Sequence, residues 1–91
     1  MLSNREIKSK EIYKAKQKLL RVKGEFKQVQ NDLLIAMNEC ALSEYRHDNK
    51  LKQGVIALKC KNAISRYMRV YGEMFGIEEH LSALYKWEPK D

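Results

Sequence analysis

Apolar and small side chains recur along the first half of the chain in steps that alternate between three and four residues. The positions run without a slip through Ile12, Ala15, Leu19, Val22, Phe26, Val29, Leu33, Ala36 and Cys40. This spacing is a heptad repeat, which predicts one α-helix with a single apolar seam along one side. We expect this helix to extend from about residue 4 to about residue 46.

The second half of the chain carries the same kind of repeat with the order of the steps reversed. Its positions are Ile56, Cys60, Ala63, Tyr67, Val70, Met74, Ile77, Leu81 and Leu84. Two seams with mirrored steps allow knobs-into-holes packing, in which side chains of one helix insert between those of the other, when the second helix folds back antiparallel to the first. This register pairs Cys40 with Ile56 and Phe26 with Val70. The chain is therefore predicted to reverse near Asp48, in a turn at about residues 47–50.

The end of the second helix depends on how the chain behaves at Gly76. The acidic pair Glu78 and Glu79 suits the first turn of a new helix. We therefore expect the second helix to cover about residues 50–75, followed by a short C-terminal third helix at about residues 77–87. Because the seam keeps its phase through the glycine, one unbroken helix is the alternative.

The first helix raises a similar question at Gly24 and Asn31. A glycine inside a helix costs about 1 kcal/mol relative to alanine. Asn31 with Asp32 has the composition of a helix N-cap, so a break near either position is an alternative. The unbroken phase of the seam favours one continuous helix.

Composition agrees with a helical protein. The chain has 91 residues, of which 33% are charged, with only one proline and four glycines. Such a profile favours long helices over a turn-rich sheet protein. The predicted fold class is all-α, a single domain over residues 1–91 built as an antiparallel two-helix hairpin.

Both predicted helices carry more apolar side chains than the facing seams can cover. We assign the surplus to a partner or dimer interface formed by Leu34, Ile35, Met37, Leu42, Met68, Tyr71 and Phe75. A helix that is apolar over most of its circumference is buried on several sides. We therefore expect a homodimer in which two hairpins form a helical bundle, although a different protein would also cover these side chains.

The net charge of +6 is confined to the first part of the chain. The stretch from Arg5 to Lys27 holds nine lysines and arginines against three glutamates, which accounts for the whole excess. On a helix these cations divide between the two flanks of the seam. The cations that we assign to a nucleic-acid-binding surface are Lys10, Lys14, Lys18 and Arg21 on one flank and Lys16, Lys23 and Lys27 on the other.

This basic stretch gives the leading functional hypothesis. Lysines one helical turn apart can follow a phosphate backbone. Arginine, which favours specific guanine contacts, is scarce in the stretch. The chain is thus predicted to be a small non-enzymatic accessory protein that binds DNA or RNA backbone with little sequence selectivity. The competing interpretation is a solvated helix surface whose charge is partly neutralised by Glu73, Glu78 and Glu79 of the second helix.

A second hypothesis belongs to a different class of protein. The surplus apolar side chains are typical of a protein–protein interaction module, such as an adaptor, an inhibitor or an assembly chaperone. The basic stretch would then dock an acidic protein. A third option, attachment to an anionic membrane surface, is limited by the small outer apolar surface of Leu20 and Tyr13.

The sequence offers little for catalysis or for metal binding. Cys40 and Cys60 do not form a Cys-x-x-Cys pair, and His47 and His80 fall on separate predicted elements. Buried free thiols that act as small hydrophobes are the simplest interpretation of the cysteines. We predict no catalytic residue, no metal site, no cofactor and no small-molecule substrate, so the protein is not expected to be an enzyme.

The expected location is the cytoplasm. Two cysteines on a buried seam fit a reducing compartment better than a secreted disulfide scaffold. The first residues lack the apolar region of a secretory signal. The longest apolar run, Leu33 to Met37, is far too short to span a membrane, so no transmembrane segment is predicted.

Overall fold

A computed structural model of the chain, which describes residues 1–90, consists of two long α-helices joined by a short turn. Helix α1 covers Asn4–Tyr45 with 42 residues, and helix α2 covers Lys50–Lys86 with 37 residues. The described residues contain no strand. The molecule is a rod of 68 × 18 × 15 Å, so the prediction of an all-α two-helix hairpin is confirmed.

The two seams face each other in the predicted antiparallel register. The Cys40 thiol points to the Ile56 carbonyl at an S···O distance of 3.9 Å. The Phe26 ring centroid lies 5.1 Å from that of Tyr67, three residues before Val70, and 6.1 Å from that of Tyr71, the residue after Val70. Every position of both predicted seams is buried or half-buried. The heptad repeat therefore identified the contact between the helices correctly.

The core of the hairpin is a single narrow row of side chains. Its buried hydrophobic members are Ala15, Val22, Ala36, Ile56, Ala63 and Val70. Three of these six are alanines, which let the two helices approach closely. The radius of gyration is 20.3 Å, whereas a compact domain of this length has about 12 Å. A rod of this shape has one internal layer and leaves its other apolar side chains at the surface.

Polar side chains cap the N-termini of both helices. Ser3 begins α1 because its hydroxyl oxygen accepts the Glu6 backbone N–H at 3.2 Å. Asn49 begins α2 because its side-chain oxygen accepts the Lys52 backbone N–H at 2.8 Å. Both contacts satisfy N–H groups that have no partner within the helix.

The turn is closed by a left-handed residue after α1. His47 has φ of 54°, and its N–H donates to the Glu44 carbonyl at 3.1 Å. The Asp48 N–H donates to the Ser43 carbonyl at 3.2 Å. This pair of bonds is a Schellman motif, which usually places glycine where His47 stands. The chain therefore reverses close to the predicted place without a glycine.

The predicted break at Gly76 is absent, and residues 1–90 contain no separate third helix. Helix α2 continues through Gly76 and ends at Lys86. Ile77, Leu81 and Leu84 beyond the glycine are half-buried against α1. A glycine costs about 1 kcal/mol, while burying one large apolar side chain contributes about 1.5–3 kcal/mol. Packing on the seam therefore outweighs the local cost of the glycine.

Candidate nucleic-acid interface and apolar face

The hairpin has two different sides, one on each flank of the seam. In an antiparallel pair, the positions that flank the seam on one side of α1 meet the equivalent positions of α2. On one side the helices form a groove whose rim carries Glu11, Lys14, Lys18, Arg21, Glu73 and His80. On the other side the Lys16 ammonium lies 5.7 Å from the centre of the Tyr85 ring.

The groove has a charged rim and a floor of small and apolar side chains. Its volume is about 450 Å³, and its lining includes buried Ala15 and Val22 and half-buried Ile77. Gly76 is exposed at the edge of the groove, and a Cβ atom added there would meet nothing within 4 Å. Lys14 forms an ion pair with Glu11 of its own helix at 3.6 Å. The remaining cations of the rim project freely into solvent.

The same side of the molecule carries two arginines that lie outside the basic stretch of the sequence. Arg66 and Arg69 precede Glu73 and Gly76 by one heptad each, which places them on the groove side of α2. Both side chains are exposed. We call the set formed by Lys14, Lys18, Arg21, Arg66 and Arg69 the cationic flank. Sequence reasoning missed the two arginines because it followed charge along the chain instead of heptad position across the hairpin.

The other predicted nucleic-acid-binding residues do not join this set. Lys16, Lys23 and Lys27 are exposed on the opposite side of α1, the side of Tyr85. Lys10 is exposed beside Ser9, Tyr13 and Lys14 around a shallow depression on the outside of α1. The structure thus divides the seven predicted cations into three groups.

The acidic residues of α2 leave the basic stretch largely uncompensated. Glu73 lines the groove, as the antiparallel register predicts. Within residues 1–90, however, no cation from Lys10 to Lys27 lies within ion-pair distance of an α2 carboxylate. The ion pair of this stretch, Lys14 with Glu11, is local to α1.

The second side of the hairpin combines large apolar side chains with Lys16, Lys23 and Lys27. Large side chains between 43% and 66% exposed share its heptad positions. We call them the apolar face: Leu20, Leu34, Met37, Ile64, Met68, Tyr71 and Phe75. Leu34 and Met37 lie together around a depression that also touches Gln30, Leu33 and Tyr67.

The structure separates two members from the predicted partner or dimer interface. Leu34, Met37, Met68, Tyr71 and Phe75 lie together on the apolar face. Ile35 and Leu42 are exposed on the side of the cationic flank, because one residue step turns a helix by about 100°. Leu20 and Ile64 belong to the face and were not assigned to it from the sequence; their heptad positions would have shown this.

The two cysteines lie near each other on the seam as free thiols. Both are half-buried. Burial raises the pKa of the Cys40 thiol, and the hydrogen bond and negative charge of neighbouring Cys60 raise it further. Cys40 is therefore a neutral, weakly nucleophilic thiol at physiological pH. Over residues 1–90, no group of three or more histidine, cysteine or acidic side chains is arranged to hold a metal ion.

Comparison with known proteins finds no matching family model, no similar curated protein and no similar solved structure. In the described part of the chain, neither helix contains a segment that is long and apolar enough to cross a membrane. The function is therefore inferred from the two surfaces of the hairpin.

Proposed function

We propose that this chain is a small non-enzymatic helical accessory protein that binds the nucleic-acid backbone through its cationic flank. The observation that carries the proposal is the convergence of cations from both helices on one side of the rod. Only Lys14 of the five members has an ion-pair partner among residues 1–90. Exposed, unpaired cations in a row are suited to replacing the counterions of a polyanion.

The cationic flank forms a line rather than a cluster. Lys14, Lys18 and Arg21 follow one another along α1 at intervals of about one turn, roughly 5–6 Å. In the register of Cys40 with Ile56, Arg69 and Arg66 of α2 continue the line towards the turn. At 1.5 Å per residue the line is about 24 Å long. A line of this length can meet several successive phosphates of one strand.

The shape of the molecule explains why little sequence selectivity is expected. The hairpin is 18 × 15 Å in cross-section, whereas the DNA major groove is about 12 Å wide. Two helices packed side by side therefore cannot enter the groove together and read base edges. Contacts to phosphate fix position on a duplex and carry no sequence information directly.

The proposal is tested by reversing the charge of the α1 members. The variant is Lys14→Glu, Lys18→Glu and Arg21→Glu, measured by fluorescence anisotropy with a short labelled mixed-sequence DNA duplex and a labelled single-stranded RNA. Five phosphate contacts predict a slope of about −4 to −5 for log affinity against log salt on duplex DNA. The variant should lose at least about a hundredfold in affinity at low salt while keeping its helical circular dichroism.

A charge-matched control distinguishes a defined surface from net charge. Lys50→Glu, Lys86→Glu and Lys90→Glu change the net charge by the same amount, from +6 to zero, on exposed residues outside the cationic flank and the apolar face. This control should lose less than about tenfold in affinity. Equal losses in the two variants, or no binding by the native chain at low salt, would contradict the proposal.

We also propose that the protein acts as a homodimer that covers the apolar face. The supporting observation is the exposure of that face on a hairpin whose own core is one row of side chains. The alternative function uses the same face as a protein–protein interaction module, such as an adaptor, an inhibitor or an assembly chaperone, with the basic half docking an acidic protein. A pure protein that stays at the mass of one chain would favour this alternative over the homodimer.

A further inference from the structure

We infer that the apolar face is covered by a second copy of this chain turned end for end, so that two hairpins form an antiparallel four-helix bundle. This inference rests on the proposed homodimer and specifies which face is used and in which orientation. It does not depend on nucleic-acid binding, because the cationic flank lies on the other side of the seam.

The size of the apolar face suits an interface between two copies. Its seven large side chains are each about half exposed, which leaves roughly 700 Å² of their surface open if a whole side chain offers roughly 200 Å². The largest apolar patch on a typical monomer is about 300–600 Å². A standard interface buries about 800 Å² per partner. The summed apolar area of these side chains is thus close to one half of a standard interface.

One end of the apolar face carries bulky side chains, and the other end carries a recess. The two ends are therefore complementary when the second copy is turned end for end. Leu20 and Phe75 lie at the same level, at the end of the apolar face that is farther from the turn, given the register of Cys40 with Ile56. Near the turn, Ala57 borders a recess of about 210 Å³. The recess is lined by Cys40, Ser43, Glu44, Gln53, Ile56 and Ala57.

Reversal of the second copy fills this recess. A two-fold axis between Ile64 and Met68 places Phe75 of one copy over the recess of the other, and the symmetry repeats the contact. The same rotation places Leu20 against Ala41 of the second copy, again a bulky side chain against a small one. In a parallel arrangement Leu20 would instead lie against Phe75 of the second copy, and both recesses would stay empty.

Charges at the ends of the face agree with the reversed orientation. Lys16 lies about one turn before Leu20, and Glu44 lies about one turn after Ala41, on the same flank of α1. The two-fold axis therefore brings Lys16 next to Glu44 of the second copy at both ends. Between these ends, the aliphatic stems of Lys23 and Lys27 can cover apolar side chains while their ammonium groups stay in water.

The first test measures mass in solution by sedimentation velocity. The native chain should sediment with twice its mass of 10.8 kDa. Met68→Glu with Phe75→Glu should give the mass of one chain. Ile35→Glu with Leu42→Glu is the matched control, since both residues are apolar and 54% exposed but lie on the other side; this variant should remain a dimer.

The outcomes separate the homodimer from the face that forms it. A native chain at the mass of one chain, or at more than two, would overturn both proposals. A native dimer that is broken by the Ile35 and Leu42 control, and not by the Met68 and Phe75 variant, would keep the homodimer and overturn the inference about the apolar face.

The second test measures orientation through charge reversal. Lys16→Glu and Glu44→Lys should each raise the dimer dissociation constant by about fivefold through two symmetric ion pairs. Their combination should restore the native value. In a parallel dimer, Lys16 would lie near Glu78 of the second copy, so rescue of Lys16→Glu by Glu78→Lys in place of Glu44→Lys would overturn the reversed orientation.

Discussion

The cationic flank and the apolar face are built on the same heptad scaffold, yet their chemistry is opposite. One side carries Lys18, Arg21 and Arg66 without ion-pair partners among residues 1–90, and the other carries half-exposed Met68 and Phe75. Like charges one turn apart destabilise a helix slightly, and exposed apolar side chains contribute little to folding. Apart from the ring contacts of Tyr71 with Phe26 and Tyr67, the two sides therefore contribute little to closing the hairpin. We propose that contacts outside the single chain account for their composition.

The prediction with the largest expected effect compares substitutions at three successive residues, one on the seam and one on each side of the hairpin. Val70 is 3% exposed on the seam. Its neighbour Arg69 belongs to the cationic flank, and its neighbour Tyr71 belongs to the apolar face. Val70→Asp should cost about 3–5 kcal/mol, because it buries an unpaired charge. We expect this variant to lose most of its helical circular dichroism and its cooperative urea transition.

The neighbouring substitutions serve as controls for position. Arg69→Asp should change the free energy of unfolding by less than about 0.5 kcal/mol, since the residue is exposed, while weakening nucleic-acid binding. Tyr71→Asp should cost about 1 kcal/mol through the lost ring contacts with Phe26 and Tyr67. If Tyr71→Asp unfolded the chain as completely as Val70→Asp, the apolar face would have to be counted as core.

A stabilising substitution at the turn tests whether nucleic-acid binding by the cationic flank is independent of the overall stability of the hairpin. His47 has φ of 54°, a conformation that costs a residue with a side chain roughly 1 kcal/mol relative to glycine. His47→Gly should therefore raise the free energy of unfolding by about 1 kcal/mol in urea titrations. Affinity for nucleic acid should not change, because the cationic flank is remote from the turn.

The matched control for His47→Gly is its neighbour. Arg46 has φ of −79°, which any residue adopts. Arg46→Gly should therefore lower stability, because glycine gains only freedom in the unfolded chain. A stabilisation of similar size in both variants would show that the left-handed conformation of His47 is not the source of the effect.

The seam was predictable from the sequence because its signal lies within each helix. Steps of three and four residues fix the buried side of α1 and of α2 separately, and the mirrored order fixes their direction. The pairing of Cys40 with Ile56 followed from these steps alone. Contacts between consecutive antiparallel helices are thus accessible to pattern reasoning.

The residue composition of the two sides was only partly predictable, because it depends on which residues of α1 and α2 the antiparallel register brings together. Arg66 lies far from Lys18 along the chain and joins it only when α2 folds back. Ile35 was grouped with Leu34 because the two are adjacent in sequence, although the helix separates them by about 100°. The break expected at Gly76 failed for a related reason, since local propensity was weighed without the burial of the residues beyond it.

Alanine at Gly76 distinguishes a ligand on the rim of the groove from one inside it. Gly76 lines the groove and Gly24 lies on α1 away from it, and an added Cβ at either position meets nothing within 4 Å. Both alanine variants should raise the free energy of unfolding by about 0.5–1 kcal/mol. Affinity for a DNA duplex should stay within about twofold in both, because phosphates meet cations at the rim.

A difference between these two variants would change the picture of the cationic flank. If Gly76→Ala weakened binding about tenfold while Gly24→Ala did not, a compact anionic group would have to enter the groove itself. The binding curve and the urea transition of the same preparations provide this comparison.

The smallest expected effect is a pH dependence of the free energy of unfolding that arises from Cys40 on the seam. Burial, together with the hydrogen bond and charge of Cys60, raises the pKa of the Cys40 thiol in the folded chain. The folded state therefore holds this proton to higher pH than the unfolded state does. The stabilisation is fully present below the unfolded pKa of about 8.5 and is lost as the pH rises through the folded pKa.

In urea titrations under reducing conditions, the free energy of unfolding of the native chain should fall more steeply above about pH 8.5 than that of Cys40→Ala. The other side chains are common to both proteins, so their contributions cancel in the difference. Parallel pH curves would show that ionisation of Cys40 is not linked to folding, and the alkaline loss of stability would then have to come from other residues.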